Sequence, residues 1–302
     1  MRDRNPLLPK TSEAGPLLAP GGLSASHVNY LLLSMAIWIL ATMHAWLSMA
    51  ADWWNDPNYS HGLLIIPTAL YFVWRARGEW QRIQPRVSTL GLFCFCGASV
   101  LYLLGTAAAE NFSVRVAAVT GIAALAWGLL GWRFLRAAWF PFVFLFFAIP
   151  WPYVIYYQIT FPLQLFSTKA ACAVLDTLGM TFARQGNMIH LPGYSLEVVE
   201  ACSGVRSLWS LATLGAAYAY LTQPGYVRPW LLFALSLPIA LGANIVRLVI
   251  TAVGAYGWGP DVAERVLHDL GGFLVFGVAL ITLILSGSII TWTSQKLSPA
   301  SP

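Results

Sequence analysis

The chain has 302 residues, of which 58% are hydrophobic and only 10% charged, and its mean hydropathy is +0.66. Such a composition excludes a soluble or secreted globular domain and reads as an integral membrane protein. The formal net charge of +5 is accounted for by membrane topology, which leaves no basic stripe of the kind that binds nucleic acid.

Residues 1–27 are rich in Pro, Gly, Ser and Leu and carry Arg2, Arg4 and Lys10, so they read as a disordered cytoplasmic tail, too long for the charged start of a cleaved signal peptide. Apolar runs follow at 28–48, 59–74, 87–107, 112–131, 137–151, 159–180, 203–221, 229–254 and 270–292. Most approach the roughly 20 residues needed to cross a hydrocarbon core about 30 Å thick.

Orientation follows from Lys and Arg alone, because acidic residues contribute little to it. If every run crosses except 159–180, both termini are cytoplasmic. The inner segments then hold Arg2, Arg4, Lys10, Arg75, Arg77, Arg82, Arg86, Arg133, Arg136, Arg228 and Lys296 out of 17 basic residues. Letting 159–180 cross would move Arg228 and Lys296 outside. That run starts among Pro150, Pro152 and Pro162 and contains Lys169 and Asp176, so it reads as a re-entrant or interfacial helix. Residues 184–200 alternate polar and apolar side chains around Pro192-Gly193, the pattern of a short β-hairpin on the outer surface. The predicted fold is therefore an all-α polytopic membrane protein with about eight transmembrane helices, a re-entrant or interfacial helix and a short outer hairpin. It is organised as one membrane domain over 28–296 with a short cytoplasmic tail at 297–302.

Ionisable groups beside spans are costly and read by default as functional. Three clusters stand out, all on the predicted outer side. The first is Glu200-Ala201-Cys202-Ser203-Gly204-Val205-Arg206. Cys202 lies near the start of a helix, where the positive dipole end and the following Arg206 favour a thiolate. Cys94, Cys96 and Cys172 lie within apolar runs and read as small apolar residues. The second cluster is Gly242-Ala243-Asn244-Ile245-Val246-Arg247. Asn244 and Arg247 are three apart and share a helix face, although an Arg at this depth also reaches the headgroups by snorkelling. The third is Glu264-Arg265-Val266-Leu267-His268-Asp269-Leu270-Gly271-Gly272, where His268 titrates near neutral pH and Asp269 or Glu264 can hold its tautomer. A nucleophile, a fixed cation and a proton shuttle are the parts of acyl transfer.

The strings E-A-C-S-G-V-R-S-L at 200–208, A-N-I-V-R at 243–247, H-D-L-G-G at 268–272 and D-P-N-Y-S-H-G at 56–62 together resemble the exosortase/archaeosortase family. The resemblance covers about 52–292. It implies a multispan cysteine peptidase or transpeptidase of the bacterial cytoplasmic membrane, acting at the outer face on exported proteins that end in a short motif such as PEP, a transmembrane helix and a basic cluster. By the same resemblance Cys202 is the nucleophile, Arg247 the oxyanion or positioning cation and His268 the general acid/base. Arg206, Asn244, Ser203, Glu200, His61 and Asp269 are supporting residues. No metal-ligand set or nucleotide motif appears in the sequence, so no cofactor and no metal are expected, and the partners the resemblance implies are the exported substrate and membrane lipid. The chain ends soon after the last span, without the further domain fused to some relatives, so a separate accessory protein is an open partner. The rival reading is a transporter or flippase for an envelope polysaccharide or lipid-linked substrate. It requires charge deep within several spans, whereas the clusters gather at one face. A scaffold for polysaccharide assembly is a third reading, in which Cys202 is dispensable.

Overall fold

The computed structural model describes residues 23–198, 205–259 and 269–297. It divides into two compact units, Met1–Pro152 and Tyr153–Pro302. Four helices are long and apolar enough to cross a membrane, or up to six if each of two bent helix pairs counts as one span. The eight predicted spans thus include runs that do not form a single span-length apolar helix among the described residues.

In the first unit, α1 (Ala25–Ala41) and α2 (Met43–Asn55) form one bent pair, with 73° between them. The cause lies at Thr42, inside the single run predicted over 28–48. Its hydroxyl donates to the Trp38 carbonyl at 2.7 Å and accepts the Trp46 indole N–H at 3.0 Å. A hydroxyl bonded back onto the preceding turn is a known source of helix bending. The run at 59–74 becomes α3 (Gly62–Arg75), whose 14 residues reach only about 21 Å at roughly 1.5 Å per residue. The short α4 (Arg77–Trp80) follows it.

Two long helices come next, α5 (Thr89–Ala107) and α6 (Asn111–Leu130). Glu110 caps α6 by accepting the Phe112 and Ser113 backbone N–H groups at 2.9 and 2.6 Å. The most apolar window of α6 is 61% buried against 17% for α5, so α6 is the central helix of this unit. Small residues permit this: Ala117, Ala118, Gly121, Ala124, Ala126 and Gly128 are all buried. Trp38 lies against Gly121, with its indole N–H donating to the Ala118 carbonyl at 2.9 Å. One charged group is buried there as well. Arg115 is 7% exposed and meets Asp52 of α2 at 2.7 Å while donating to Ser48 at 3.2 Å, so its charge is paired within the helix bundle.

The run at 137–151 is broken. After the short α7 (Trp132–Ala137) it forms α8 (Trp139–Phe144) and a 3₁₀ turn at Leu145–Ala148. Phe72 of α3 packs edge-on to Phe140 and Phe144, with centroids 5.3 Å away in each case. The Trp53 indole N–H closes this corner by donating to the Ala148 carbonyl at 2.7 Å.

The α5–α6 crossing carries a prediction. A methyl on Gly91 would sit 2.7 Å from the Gly128 Cα, whereas one on Gly97 of the same helix meets nothing within 4 Å. Close backbone approach through small residues is how membrane helices associate. Gly91→Ala is expected to cost about 1–3 kcal/mol, the range for overpacking, and to lower the melting temperature in detergent. Gly97→Ala should leave it unchanged or slightly raised.

The second unit begins with α9 (Tyr153–Thr177), which covers most of the run read as re-entrant or interfacial. It forms the second bent pair with Trp139–Ala148, the break falling at residues 149–152, where Pro150 and Pro152 interrupt the helix. Such a pair is either a broken span or a re-entrant loop. Its buried residues are polar in the middle, at Thr160, Gln164, Ser167 and Thr168, and apolar toward its C-terminus, at Ala171, Cys172 and Leu175, while its exposed residues include Val154, Phe161 and Phe166.

Residues 183–197 correct the predicted hairpin, because they form three strands and not two. β1 (Ala183–Gln185), β2 (Met188–Leu191) and β3 (Tyr194–Glu197) make an antiparallel sheet in the order β1-β2-β3. Its two turns centre on Gly186-Asn187 and Pro192-Gly193, with Gly186 at φ +61° and Gly193 at φ +78°, a conformation glycine adopts without penalty. β1 is exposed throughout, so it carries no alternating pattern to reveal it. Ile189, Leu191, Leu196 and Val198 form the buried face and pack with Leu248, Ala252 and Ala255. Those last three belong to the helix at Val227–Trp258.

The unit is completed by α10 (Val205–Thr222), α11 (Val227–Trp258) and α12 (Asp269–Leu297). Leu211 and Ala219 of α10, Leu232 and Ala240 of α11, and Ala279 and Leu283 of α12 share one buried cluster. A methyl on Gly215 would fall 2.9 Å from Ser236 Cβ, and one on Gly287 would fall 2.8 Å from the Tyr218 ring, so glycine sets both approaches.

Candidate active site

The described part of the candidate site lies where α10, α11 and α12 come together. A small cavity there is lined by Ser207 and Leu211 of α10, Asn244 and Arg247 of α11, and Gly272 and Phe276 of α12. Asn244 is 2% exposed and Arg247 half-buried. Their spacing of three residues brings both side chains to one face of α11, as predicted. The Arg247 guanidinium donates through Nη2 to Asn244 Oδ1 at 2.9 Å. Asn244 thereby fixes the plane and direction of the cation inside the cavity, which a headgroup-seeking Arg does not require.

Gly272 is the second glycine of the H-D-L-G-G string. A methyl there would lie 3.9 Å from Arg247 Nη1, so the guanidinium sits beside the start of α12. Ser207 and Gly272 were not among the predicted site residues. Their signal was their position inside the two motif strings, with Ser207 next to Arg206 and Gly272 four residues after His268.

The remaining predicted residues are placed as follows. Arg206 is half-buried in the first turn of α10. Asp269 is the first residue of α12. His61 belongs to the first unit, half-buried in the turn ahead of α3. Cys202, Ser203, Glu200 and His268 lie outside the described residues. In the sequence Cys202 is five residues from Ser207 and His268 four from Gly272. Each of the three motif strings gives the cavity at least one lining residue: Ser207 from the first, Asn244 and Arg247 from the second and Gly272 from the third.

The other three cysteines lie among the described residues. Cys94 and Cys96 are exposed on α5, and Cys172 is buried in an apolar cluster with Ala171, Leu175 and Leu248.

Compared with known protein families, residues 53–285 match the model for transmembrane exosortases. The chain belongs to the exosortase family. The matched region contains all four motif strings and ends within α12. No curated protein and no solved structure matches the chain. Membership makes this exosortase a membrane protein of a family of sorting transpeptidases.

Proposed function

We propose that this exosortase is a cysteine peptidase or transpeptidase of the cytoplasmic membrane. It removes the C-terminal sorting signal of exported proteins at the outer face, both its termini being cytoplasmic. The observation that carries the reading is the Arg247–Asn244 pair, a guanidinium aimed by a buried amide into a cavity shared with Ser207 and Gly272.

The Cys202 thiolate attacks the carbonyl carbon of the scissile amide, and the carbonyl oxygen becomes an oxyanion. Arg247 donates to that oxyanion, a charge-assisted hydrogen bond that strengthens as charge develops. Collapse breaks the C–N bond, and protonated His268 gives its proton to the leaving amine, leaving an acyl thioester on Cys202. Water or an acceptor amine or hydroxyl then attacks the thioester, loses its proton to His268 and restores the thiolate. Arg206 adds positive charge in the first turn of α10, near Cys202 in sequence, and so favours the ionised thiol. A substrate helix with its basic tail in the cytoplasm carries its signal to the outer face, at the level proposed for Cys202.

The test is co-expression with an exported reporter that ends in a PEP-type motif, a transmembrane helix and a basic tail. The expected outcome is a shortened reporter that has lost the helix and tail. A reporter that stays full-length across candidate signals taken from the same genome contradicts the reading.

A further inference from the structure

The cavity that holds Arg247 has two ends of different chemistry. In the bundle that forms it, α11 runs against α10 and α12: a methyl on Gly215 would meet Ser236 and Leu283, and one on Gly287 would meet Tyr218 and Leu232. Ser207, Arg247 and Gly272 therefore share one level of the bundle, and Leu211, Ala240 and Ala279 share another. Arg247 is seven residues from Ala240, as Gly272 is from Ala279, so the two levels are about two helical turns apart. The first level carries the hydroxyl and the guanidinium. At the second, the described lining is apolar and closed, with Leu211, Ala240 and Ala279 only 1%, 1% and 3% exposed. Ala243, Val275 and Phe276 supply further apolar wall. One turn beyond, the helices touch at Gly215, where an added methyl would fall 2.9 Å from Ser236 Cβ, and this contact closes the floor. The free volume is about 20 Å³, room for one water-sized group or little more. It exists because three of its wall positions are alanine.

Resting on the proposed function, we infer that the apolar end of this cavity is the specificity pocket for the substrate residue whose carbonyl is attacked, and that it takes a small uncharged side chain such as alanine, serine or proline. Arg247 fixes the position of that carbonyl oxygen. The carbonyl carbon and Cβ of a residue share its Cα, so the side chain of the same residue starts beside the guanidinium, with the alanine-lined space next to it. Branched and aromatic side chains exceed that space. An acidic one would lose its hydration among Leu211, Val275 and Phe276 without gaining a partner there, a costly burial. Ala240, Ala243 and Ala279 are thus specificity-determining residues, set apart from the polar groups that hold the reacting atoms.

The test uses the full chain in membranes with the reporter of the preceding section. Intact mass of the wild-type product identifies the residue at the new C-terminus, expected to be alanine, serine or proline. That position is then changed in turn to Gly, Ala, Val, Leu, Phe and Glu. With wild type, kcat/KM for Val, Leu, Phe and Glu should fall about 10²-fold or more below that for Ala, the scale on which a closed apolar pocket rejects added methylenes. Filling the pocket with Ala279→Val, or with Ala243→Val at a half-buried wall, should lower the Ala-to-Gly ratio of kcat/KM at least about tenfold. Opening it with Val275→Ala should raise the Val-to-Ala ratio by a similar factor. Each ratio comes from one membrane preparation, so differences in the amount of folded protein cancel, and the two filling variants guard against one that fails to fold. A bulky or acidic residue at the wild-type C-terminus, Leu or Phe accepted as readily as Ala, or ratios unmoved by both filling variants overturns the pocket. Any of these alongside cleavage that depends on Cys202 leaves the proposed function standing. Cleavage that persists in Cys202→Ala, or no cleavage of any reporter in the scan, removes the proposed function and the pocket with it.

Discussion

Cys202→Ala and Cys202→Ser are expected to abolish reporter processing, while the combined change of Cys94, Cys96 and Cys172 to Ala leaves it within about twofold of wild type. The proposed reaction gives Cys202 a covalent role that no neighbour can assume. Loss of a nucleophile in a catalytic set that acts as a unit typically costs about 10⁴-fold or more, so the residual rate falls to background. Serine retains a hydroxyl, but its alkoxide is not populated at neutral pH, and a site organised around a thiolate does not generate one. The other cysteines sit where thiolate chemistry is not expected, two exposed on the apolar helix α5 and one buried among Ala171, Leu175 and Leu248. Reporter cleavage quantified by gel shift, at matched membrane levels of each variant, checks the result. Activity that survives in Cys202→Ala and disappears in the triple variant would transfer the role to another cysteine.

The second large effect is expected at Arg247. Arg247→Lys should lower processing about 10²–10³-fold, the usual consequence of removing one oxyanion donor. A lysine keeps the charge but offers a compact ammonium in place of a planar fork. Arg247 uses that fork already: one amino group donates to Asn244 Oδ1 at 2.9 Å, and the other lies nearer the start of α12. Asn244→Ala should lower activity by a smaller factor, because the cation stays in place but loses the acceptor that aims it. The double variant should be little worse than Arg247→Lys alone, since residues of one hydrogen-bonded pair do not contribute additively. Parallel melting curves separate this from a folding defect, with kcat/KM falling far more than stability. Near-normal turnover in Arg247→Lys would return Arg247 to the role of a snorkelling anchor.

How much of this was legible in the sequence differs between fold and site. Hydropathy located the apolar runs, and α5, α6, α11 and α12 arise where long uninterrupted runs were read. It did not show the bend at Thr42, because that residue's hydroxyl bonds one backbone carbonyl and one indole inside an unbroken apolar stretch. The first strand was missed for a related reason: Ala183–Gln185 is exposed on both faces and shows no alternation. Gly186-Asn187 was the available clue, as a second two-residue turn. The Arg115–Asp52 pair joins residues far apart in the chain, and no local spacing announces it. The Asn244–Arg247 pair was legible because a separation of three residues on a helix fixes a shared face. The convergence of α10, α11 and α12 was not, because periodicity describes each helix alone and says nothing of which neighbours it meets.

The central claim is that processing passes through an acyl thioester on Cys202, and hydroxylamine capture tests it most directly. Hydroxylamine attacks a thioester readily and leaves an unactivated peptide bond intact. Added to membranes holding the exosortase and its reporter, it should divert the new reporter C-terminus to a hydroxamate, identified by intact mass, with wild type and not with Cys202→Ala. A product that remains the free acid at saturating hydroxylamine, or a hydroxamate formed equally by Cys202→Ala, would contradict the account.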